Sequence, residues 1–242
     1  MTIEQEFIEG NHAMKCLILA GGFATRLFPE GDTRIKAKAL LSYRGKSIIG
    51  HLLDKVPLTI PVMIATNKRF ETSFLNWQTK LERKVTILIE ESQHENQKPG
   101  AVSAIDFWIQ KKEITEDLWV IAGDNYFEGD MLQFLANYNG KHSLVAVYDI
   151  GSKEKARQFG VVRLEDSRII ELQEKPAQSV SSLIATACYI FPREVFPLLH
   201  RYCNQAKRDH LGSFITHLIN SETVHAYMLT KPWLDIGSLN QP

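Results

Sequence analysis

Short apolar runs alternate with amphipathic helical segments along the first half of the chain, and this alternation limits the fold more than any other feature of the sequence. The runs predicted to be strands are 16–20, 61–66, 85–90 and 118–122, and the segments predicted to be helices are 47–56, 70–81, 101–110 and 131–138. Strands that are apolar on both faces are typical of parallel sheets covered by helices. The pattern therefore predicts an α/β fold that binds its ligands at the carboxyl ends of the strands.

The second half of the chain has more strands and fewer helices. The strands expected there are 143–148, 161–164, 169–173, 183–191 and 223–229, and the helices are 193–202 and 212–220. No internal repeat, low-complexity tract or long linker separates the two halves. We therefore predict a single domain with a mixed, mainly parallel sheet, in which the second half forms a wall over the ligand crevice.

The composition excludes several classes of protein. With 242 residues, of which 44% are hydrophobic and 23% charged, the chain is typical of a folded globular domain. A formal net charge of +0 gives no reason to expect binding to nucleic acid or to a membrane surface. No apolar run approaches the ~20 residues that span a bilayer, and the acidic N-terminus lacks the apolar segment of a secretion signal. We expect a cytoplasmic protein.

The cysteines and histidines do not form a metal-binding pattern. The cysteines are widely spaced and include no CxxC pair, which argues against a disulfide framework or a zinc site and for a reducing compartment: Cys16, Cys188 and Cys203. Three histidines fall on helical segments without a ligand partner one turn away: His51, His200 and His217. We expect them at solvent-exposed or core positions.

The loop after the first predicted strand has the features of an anion site. The strand ends at Gly21-Gly22, where we expect positive φ angles and backbone amides that a ligand can approach closely. Arg26 and Lys38 add two cations beside those amides, which suits a polyphosphate. The sequence therefore predicts a nucleoside triphosphate site.

Two common motifs compete with a triphosphate site in this region. Gly-Gly alone is frequent in ordinary strand-turn-helix connections whose basic residues are merely solvated. Gly45-Lys46-Ser47 looks like the end of a phosphate-binding P-loop, but Leu40 stands where that motif requires its earlier glycine, so we exclude the P-loop.

Two aspartates are candidates for a metal site. Asp124 follows the apolar strand 118–122, and Asp235 lies in the apolar string Trp-Leu-Asp-Ile-Gly. Two carboxylates together with substrate phosphates are a common way to hold Mg²⁺. The alternative is that each aspartate caps a helix or a turn.

A glutamate-lysine pair is a candidate for binding a sugar phosphate. At a strand end, Glu174 could accept hydrogen bonds from sugar hydroxyls while Lys175 binds a phosphate. The alternative is an exposed ion pair that contributes ~0–1 kcal/mol and has no function.

Taken together, five strings resemble the signature of the sugar-1-phosphate nucleotidyltransferases, with the nearest likeness to the glucose-1-phosphate thymidylyltransferases. They are LAGGFATRLFP with KAKALL, GDN at 123–125, FGVV at 159–162, EKP at 174–176 and WLDIG at 233–237. The resemblance implies a single Rossmann-like, three-layer nucleotidyltransferase domain over 14–242, preceded by an N-terminal extension over 1–13. It also implies a Mg²⁺-dependent, in-line reaction of a nucleoside triphosphate with a sugar-1-phosphate that yields an NDP-sugar and pyrophosphate. By resemblance, dTTP or UTP and glucose-1-phosphate are the preferred substrates.

The resemblance also assigns roles to individual residues. The nucleotide-binding residues would be Leu19, Ala20, Gly21, Gly22 and Gly100. The sugar-phosphate-binding residues would be Gly160, Glu174 and Lys175, and the catalytic cations would be Arg26, Lys38 and Lys175. The metal ligands would be Asp124 and Asp235.

The chain departs from the family pattern at two positions. Ala24 and Ala187 stand where many relatives carry glycine, one in the phosphate loop and the other before the strand ending in Tyr-Ile-Phe. Two other functions stay open: a regulatory subunit that binds a nucleotide sugar without turnover, and a metal-dependent glycosyltransferase. The latter typically has a D-x-D motif, whereas Asn125-Tyr126 follows Asp124 here. Assembly into a homo-oligomer is left open.

Overall fold

A computed structural model describes residues 13–22, 37–94, 100–205 and 210–236. Its strands, in chain order, are β1 (Met14–Leu19), β2 (Ser42–Tyr43), β3 (Lys46–Ser47), β4 (Val62–Asn67), β5 (Thr86–Glu90), β6 (Asp117–Ala122), β7 (Asn125–Phe127), β8 (Ser143–Asp149), β9 (Gly160–Glu165), β10 (Arg168–Glu174), β11 (Leu183–Phe191), β12 (Val224–Met228) and β13 (Trp233–Asp235). Its α-helices are α1 (Ile48–Lys55), α2 (Glu71–Gln78), α3 (Ala101–Lys111), α4 (Leu132–Ala136), α5 (Lys153–Ala156), α6 (Phe196–Gln205) and α7 (Leu211–Leu218). Short 3₁₀ segments cover Lys38–Leu40, Lys68–Phe70 and Arg193–Val195.

The large sheet is mixed and has the strand order β5-β4-β1-β6-β11-β8-β12-β10-β9. The four strands of the first half run parallel, with Cys16 opposite Val62 on one side and Trp119 on the other. In the second half, β11 runs antiparallel to both β6 and β8, and it also contacts β9. The predicted α/β fold with a mixed sheet is confirmed, and the parallel strands that should carry a nucleotide site come from the first half.

Helices cover both faces of the sheet, so the domain has three layers. Side chains alternate across β1: Cys16 and Ile18 face α1, α2 and α4, whereas Leu17 faces α3, α6 and α7. Both faces are fully buried, because Cys16, Leu17 and Ile18 have no exposed surface. This double burial explains why the part of the strand from Cys16 to Leu19 is apolar at every position.

The predicted helices and strands of both halves are present, with shifts of a few residues at their ends. Helix α5 and the 3₁₀ segment Lys38–Leu40 were not predicted. Three further short elements were also not predicted. One is the β2–β3 hairpin, whose turn residues Arg44 and Gly45 both have positive φ. Lys46 Nζ in this hairpin bonds Asp54 Oδ1 at 2.6 Å. The Gly45-Lys46-Ser47 string is therefore part of a hairpin, in agreement with our exclusion of the P-loop.

The other two are β7 and β13, which pair antiparallel with each other outside the large sheet. Each has three residues, and together they join the Asp124 region to the Asp235 region. The pairing places Asp235 opposite Asn125, the residue that follows Asp124.

Within the described ranges, no helix is long and apolar enough to cross a membrane. The predicted extension over 1–13 falls outside those ranges except for Ala13, whose carbonyl accepts a hydrogen bond from the Asp117 amide at 3.0 Å.

Arg83 fixes the connection between α1 and β4. Its guanidinium donates to the carbonyls of Leu53, Val56, Pro57 and Ile60, the last two at 2.7 Å each. Partial burial lowers the pKa of Arg83, but a guanidinium stays charged at neutral pH. One side chain thus satisfies four carbonyls in a stretch of irregular backbone.

We predict that Arg83→Met lowers the free energy of unfolding by about 2–4 kcal/mol, because methionine cannot replace the hydrogen bonds that the guanidinium donates to the four carbonyls. Chemical denaturation measures this loss. Arg69→Met is the control, since Arg69 is exposed, and its effect should stay within about 0.5 kcal/mol. Equal effects of the two substitutions would contradict the role of Arg83.

Candidate active site

The loop after β1 is fastened by polar residues at the end of β4. The Ala20 amide donates to the Ala65 carbonyl at 2.7 Å, Asn67 Nδ2 donates to the Gly21 carbonyl at 2.9 Å, and Thr66 Oγ1 donates to the Ala20 carbonyl at 3.4 Å. Thr66 and Asn67 have no exposed surface. Our sequence reasoning assigned neither residue a role, although two polar residues ending an apolar strand were the available signal.

The backbone conformation of the glycines in this loop differs from our expectation. Neither Gly21 nor Gly22 has a positive φ, so that part of the prediction is wrong. A Cβ on Gly22 would meet nothing within 4 Å, and one on Gly21 would be 3.6 Å from Glu90 Oε2. As far as the described residues are concerned, the space beside Gly22 is open to a ligand, which agrees with the expectation that a ligand can closely approach the backbone amides here.

Gly123 is the glycine required by close backbone approach. A Cβ there would be 3.0 Å from the Leu19 carbonyl oxygen and 3.2 Å from the Ala20 Cβ. The Gly123 amide donates to the same Leu19 carbonyl at 2.8 Å. Gly123 thus lets the turn carrying Asp124 lie directly against the end of β1.

A small cavity of about 130 Å³ lies beside this loop. Four of the predicted nucleotide-binding residues line it, namely Leu19, Gly21, Gly22 and Gly100. Ala20, the fifth, is buried and does not line the cavity. Glu90 also lines it; this residue is only 9% exposed, and its Oε1 accepts from Trp108 Nε1 at 3.4 Å. Glu90 was missed by sequence reasoning, although a carboxylate ending an apolar strand was a usable signal.

A larger groove of about 710 Å³ is separate from these residues. It lies beside residues 55–58 and 80–83, which precede the amino ends of β4 and β5, and it contains none of the predicted site residues. The carboxyl-end cavity is therefore the better candidate for a nucleotide, in line with the general rule for open α/β sheets.

Lys38 and Asp124 lie together at the same edge of the sheet. Lys38 Nζ is 3.7 Å from Asp124 Oδ2, and the side chains are 19% and 32% exposed. A cation and a carboxylate that are both partly accessible can each bind a ligand group. Arg26 and Ala24 lie outside the described residues.

The second predicted metal ligand is brought beside the first by the β7–β13 pair. Asp235 lies opposite Asn125 in this pair, and the Ile236 amide donates to the Asp124 carbonyl at 3.0 Å. Asp124 itself is in the turn between β6 and β7. Two aspartates distant in the sequence are therefore neighbours in the fold.

Asn125 joins three segments through its buried side-chain amide. Its Oδ1 accepts from Trp233 Nε1 at 3.2 Å, and its Nδ2 donates to the Thr186 carbonyl at 2.6 Å. Thr186 Oγ1 in turn donates to the Ala146 carbonyl at 2.8 Å. Asn125 is 2% exposed and Thr186 has no exposed surface. This network fixes β13, the Asp124 turn and β11 relative to one another.

The carboxylate oxygens of this site suit a hard cation that is also bound by the phosphates of a substrate. Among the described residues there is no group of three or more histidine, cysteine, aspartate or glutamate side chains that could hold a metal by itself. Asp124 and Asp235 offer carboxylate oxygens, and Mg²⁺ is usually held by one or two carboxylates with substrate phosphates and water completing its shell. The two aspartates therefore fit Mg²⁺ bound together with a polyphosphate.

The predicted sugar-phosphate residues are linked to β13, the strand that contains Asp235, through Phe159. Gly160 pairs with Glu174 between β9 and β10, and the Lys175 amide donates to the Phe159 carbonyl at 3.0 Å. The Phe159 ring contacts Trp233 of β13, with ring centroids 5.5 Å apart. In the part of the chain that the structure describes, Glu174 and Lys175 form no ion pair with each other, which argues against the functionless surface pair.

Two residues of this region adopt left-handed backbone conformations. Lys175 has a φ of 45° and Ala187 a φ of 54°. Ala187 lies in β11 where the register with β8 shifts between Ala185 and Tyr189. Glycine takes this conformation without strain, which gives a physical reason for the glycine that the family pattern has at this position.

A comparison with known families identifies the chain. The family model for nucleotidyl transferases matches residues 15–241. The chain belongs to the nucleotidyl transferase family. The predicted resemblance to sugar-1-phosphate nucleotidyltransferases is confirmed at this level.

Individual members of the nucleotidyl transferase family show how far the likeness extends. The chain is 30% identical over 227 residues to the bifunctional protein GlmU of Methanocaldococcus jannaschii, covering 93% of this chain and 51% of GlmU. It is 29% identical over 233 residues to a Sulfolobus acidocaldarius protein assigned as a mannose-1-phosphate guanyltransferase, covering 93% of this chain and 60% of the relative. The chain thus spans about half the length of these curated relatives.

A solved structure from Bacillus anthracis, assigned as a glucose-1-phosphate thymidylyltransferase in complex with sucrose, superposes with a TM-score of 0.74 at 26% identity. The match covers 93% of this chain and 90% of that one. The nucleotidyl transferase fold is therefore shared over nearly the whole chain.

We predict that Asn125→Asp lowers the free energy of unfolding by about 1–3 kcal/mol at pH 7, because a carboxylate would face the Thr186 carbonyl without a proton to donate. Asn139→Asp is the control. Asn139 is exposed and its Oδ1 only accepts, from the Lys141 and His142 amides, so an aspartate replaces it without loss. Equal shifts of the Tm in the two variants would refute the stabilising role of the Asn125 hydrogen-bond network.

Ala187→Gly should raise the free energy of unfolding by about 0.5–1 kcal/mol. The left-handed conformation costs an alanine roughly 1–2 kcal/mol, and the greater freedom of glycine in the unfolded chain offsets part of the gain. Ala185→Gly in the same strand, where φ is not positive, should destabilise instead. The midpoints of denaturant unfolding compare the stabilities of the two variants. A lower stability of Ala187→Gly would contradict the backbone strain at Ala187.

Proposed function

We propose that this chain transfers a nucleotidyl group from a nucleoside triphosphate to a sugar-1-phosphate, releasing pyrophosphate and forming an NDP-sugar. The main support is the proximity of Asp124, Asp235 and Lys38 at one edge of the sheet. The cavity beside Gly22 is lined by Leu19, whose carbonyl accepts from the Gly123 amide next to Asp124. The Lys175 amide donates to the Phe159 carbonyl, and the Phe159 ring contacts Trp233 in the strand that carries Asp235. These links support a triphosphate and a sugar phosphate meeting at a shared charge centre.

The proposed chemistry depends on positioning and on charge. The sugar-1-phosphate oxygen is already an anion, so no general base is needed, and the main barrier is repulsion between two highly charged phosphates. Lys38 would bind the triphosphate, Arg26 the departing pyrophosphate and Lys175 the incoming phosphate. Each lysine or arginine lowers the repulsion at the position where charge accumulates.

Asp124 and Asp235 would hold the Mg²⁺ ion. When bound, Mg²⁺ neutralises phosphate oxygens and polarises the reacting phosphoryl group. The protein residues orient the two substrates for in-line attack at the α-phosphorus.

The choice of base and sugar is a finer proposal. The sequence resemblance favours dTTP or UTP with glucose-1-phosphate, and the B. anthracis structure assigned as a thymidylyltransferase supports this preference. The relative assigned as a guanyltransferase for mannose-1-phosphate supports a different pair. We propose thymidine or uridine with glucose as the first combination to test.

Two observations bear on the competing functions. A non-catalytic nucleotide-sugar-binding subunit could lack part of the charge centre, whereas Lys38, Asp124, Asp235 and Lys175 are all present here. A glycosyltransferase is disfavoured because Tyr126 stands where the second aspartate of a D-x-D motif would follow Asp124. A cytoplasmic location and homo-oligomer formation remain predictions.

The direct test is a matrix of nucleoside triphosphates against sugar-1-phosphates with Mg²⁺, scored by pyrophosphate release. We expect release with at least one pair and a loss of kcat on the order of 10²- to 10³-fold in Asp124→Asn. Asp166→Asn, in the exposed turn between β9 and β10, is the matched control and should retain full turnover. No release with any pair would reject the transferase and favour the binding subunit.

A further inference from the structure

The second residue of α7, Gly212, lies directly against the carboxylate of Glu174. A Cβ on Gly212 would overlap Glu174 Oε2 and would come within 2.9 Å of Leu172 Cδ2. Contacts shorter than 3.0 Å are essentially never seen for a real Cβ, so any side chain at position 212 must displace these groups. The Glu174 carboxylate is the far end of a flexible side chain, so it would move first.

A second glycine, Gly160 in β9, lies close to the same oxygen, Glu174 Oε2. A Cβ on Gly160 would be 3.2 Å from Glu174 Oε2, which is tighter than most real contacts. We call the space between these two glycines the Glu174 notch, formed by Gly160 and Gly212. The carboxylate occupies space that a Cβ on Gly212 would fill, and a Cβ on Gly160 would tighten the notch further.

The notch holds the carboxylate by shape and not by hydrogen bonds. Across the described ranges no protein donor hydrogen-bonds the Glu174 carboxylate, and no cation pairs with it. Glu174 is half-buried at the end of β10, next to Lys175. Its oxygens therefore keep their capacity to accept from a ligand, and sugar hydroxyls are suitable donors.

Helix α7 cannot easily shift to relieve a clash. Thr216 Oγ1 donates to the Leu172 carbonyl of β10 at 2.7 Å and also approaches the Gly212 carbonyl at 3.0 Å. Phe214 and Ile215 on the same helix have no exposed surface. Because the helix is fastened to the strand that carries Glu174, a new side chain at position 212 would act on the carboxylate.

We propose that Gly212 is a positioning residue for the sugar-phosphate half of the site. It keeps the notch open so that the Glu174 carboxylate has one fixed place from which to accept hydrogen bonds from the hydroxyls of a hexose-1-phosphate. This inference rests on the proposed transferase function, since it assigns Glu174 to the sugar. It adds a residue that the family signature does not contain.

The first experiment measures KM separately for the sugar-1-phosphate and for the nucleoside triphosphate in the Gly212→Ala variant. We expect KM for the sugar-1-phosphate to rise roughly 10- to 100-fold, the range for losing a hydrogen bond to a charged group, while KM for the nucleoside triphosphate is unchanged. Gly50→Ala is the matched control: Gly50 is a helical glycine whose Cβ would be 2.9 Å from Lys46 Cε, far along the chain from the notch. Equal changes in both KM values, or no change in either, would overturn the proposal.

The second measurement asks whether Glu174 transmits the effect. Glu174→Asp shortens the side chain by one methylene and withdraws the carboxylate from the notch. The double variant should then have the sugar KM of Glu174→Asp alone, because the added methyl no longer meets a carboxylate. Additive increases in KM would show that Gly212 acts independently of Glu174 and would overturn the proposal.

A stability cycle distinguishes failure of this inference from failure of the proposed function. If the wild-type protein releases no pyrophosphate with any substrate pair, the transferase proposal fails, but the steric pairing can still be tested. Gly212→Ala should lower the Tm of the wild-type protein and lower it less in the Glu174→Asp background. An equal drop in both backgrounds would overturn the notch itself.

Discussion

The hydrogen bonds of the Asn125 side chain are the interaction on which the candidate site depends. This buried amide accepts from Trp233 and donates to the Thr186 carbonyl, so it links the end of the chain to the middle of the sheet. A short antiparallel pair of three residues on each side would be marginal in isolation. With the amide network added, Asp235 is held beside the Asp124 turn, and the two carboxylates can serve one centre.

In the proposed function, each half of the sheet binds a different substrate. The parallel first half provides the cavity lined by Gly21, Gly22 and Gly100, and the mixed second half provides the segment with Glu174 and Lys175. Left-handed backbone at Lys175 and Ala187 lies where the second segment meets the Asn125 network. Strained residues of this kind persist where the surrounding packing determines them, and they often mark functional sites.

The sequence predicts local features of this protein well and long-range ones poorly. Strand β6 and helix α3 follow from periodicity within one segment. The placement of Gly21 and Gly22 at a ligand site follows from the rule that ligands gather at strand ends, whereas Gly100 was assigned only by the family resemblance. The pairing of β7 with β13 depends on partners that are distant in sequence. The same holds for Gly123 and Gly212, because a glycine needed for close approach cannot be recognised until its neighbour is known. Glu90 and Asn67 are intermediate cases, in which a polar residue ending an apolar strand was a signal that we did not use.

We propose that Asp124 and Asp235 hold one metal ion together with the triphosphate. The sharpest test is a crystal structure of the protein with Mg²⁺ and a non-hydrolysable nucleoside triphosphate analogue. We expect one ion with oxygens of both carboxylates and of a phosphate at about 2.0–2.1 Å. An ion bound by phosphates and water alone, with both carboxylates turned away from it, would refute the shared metal site.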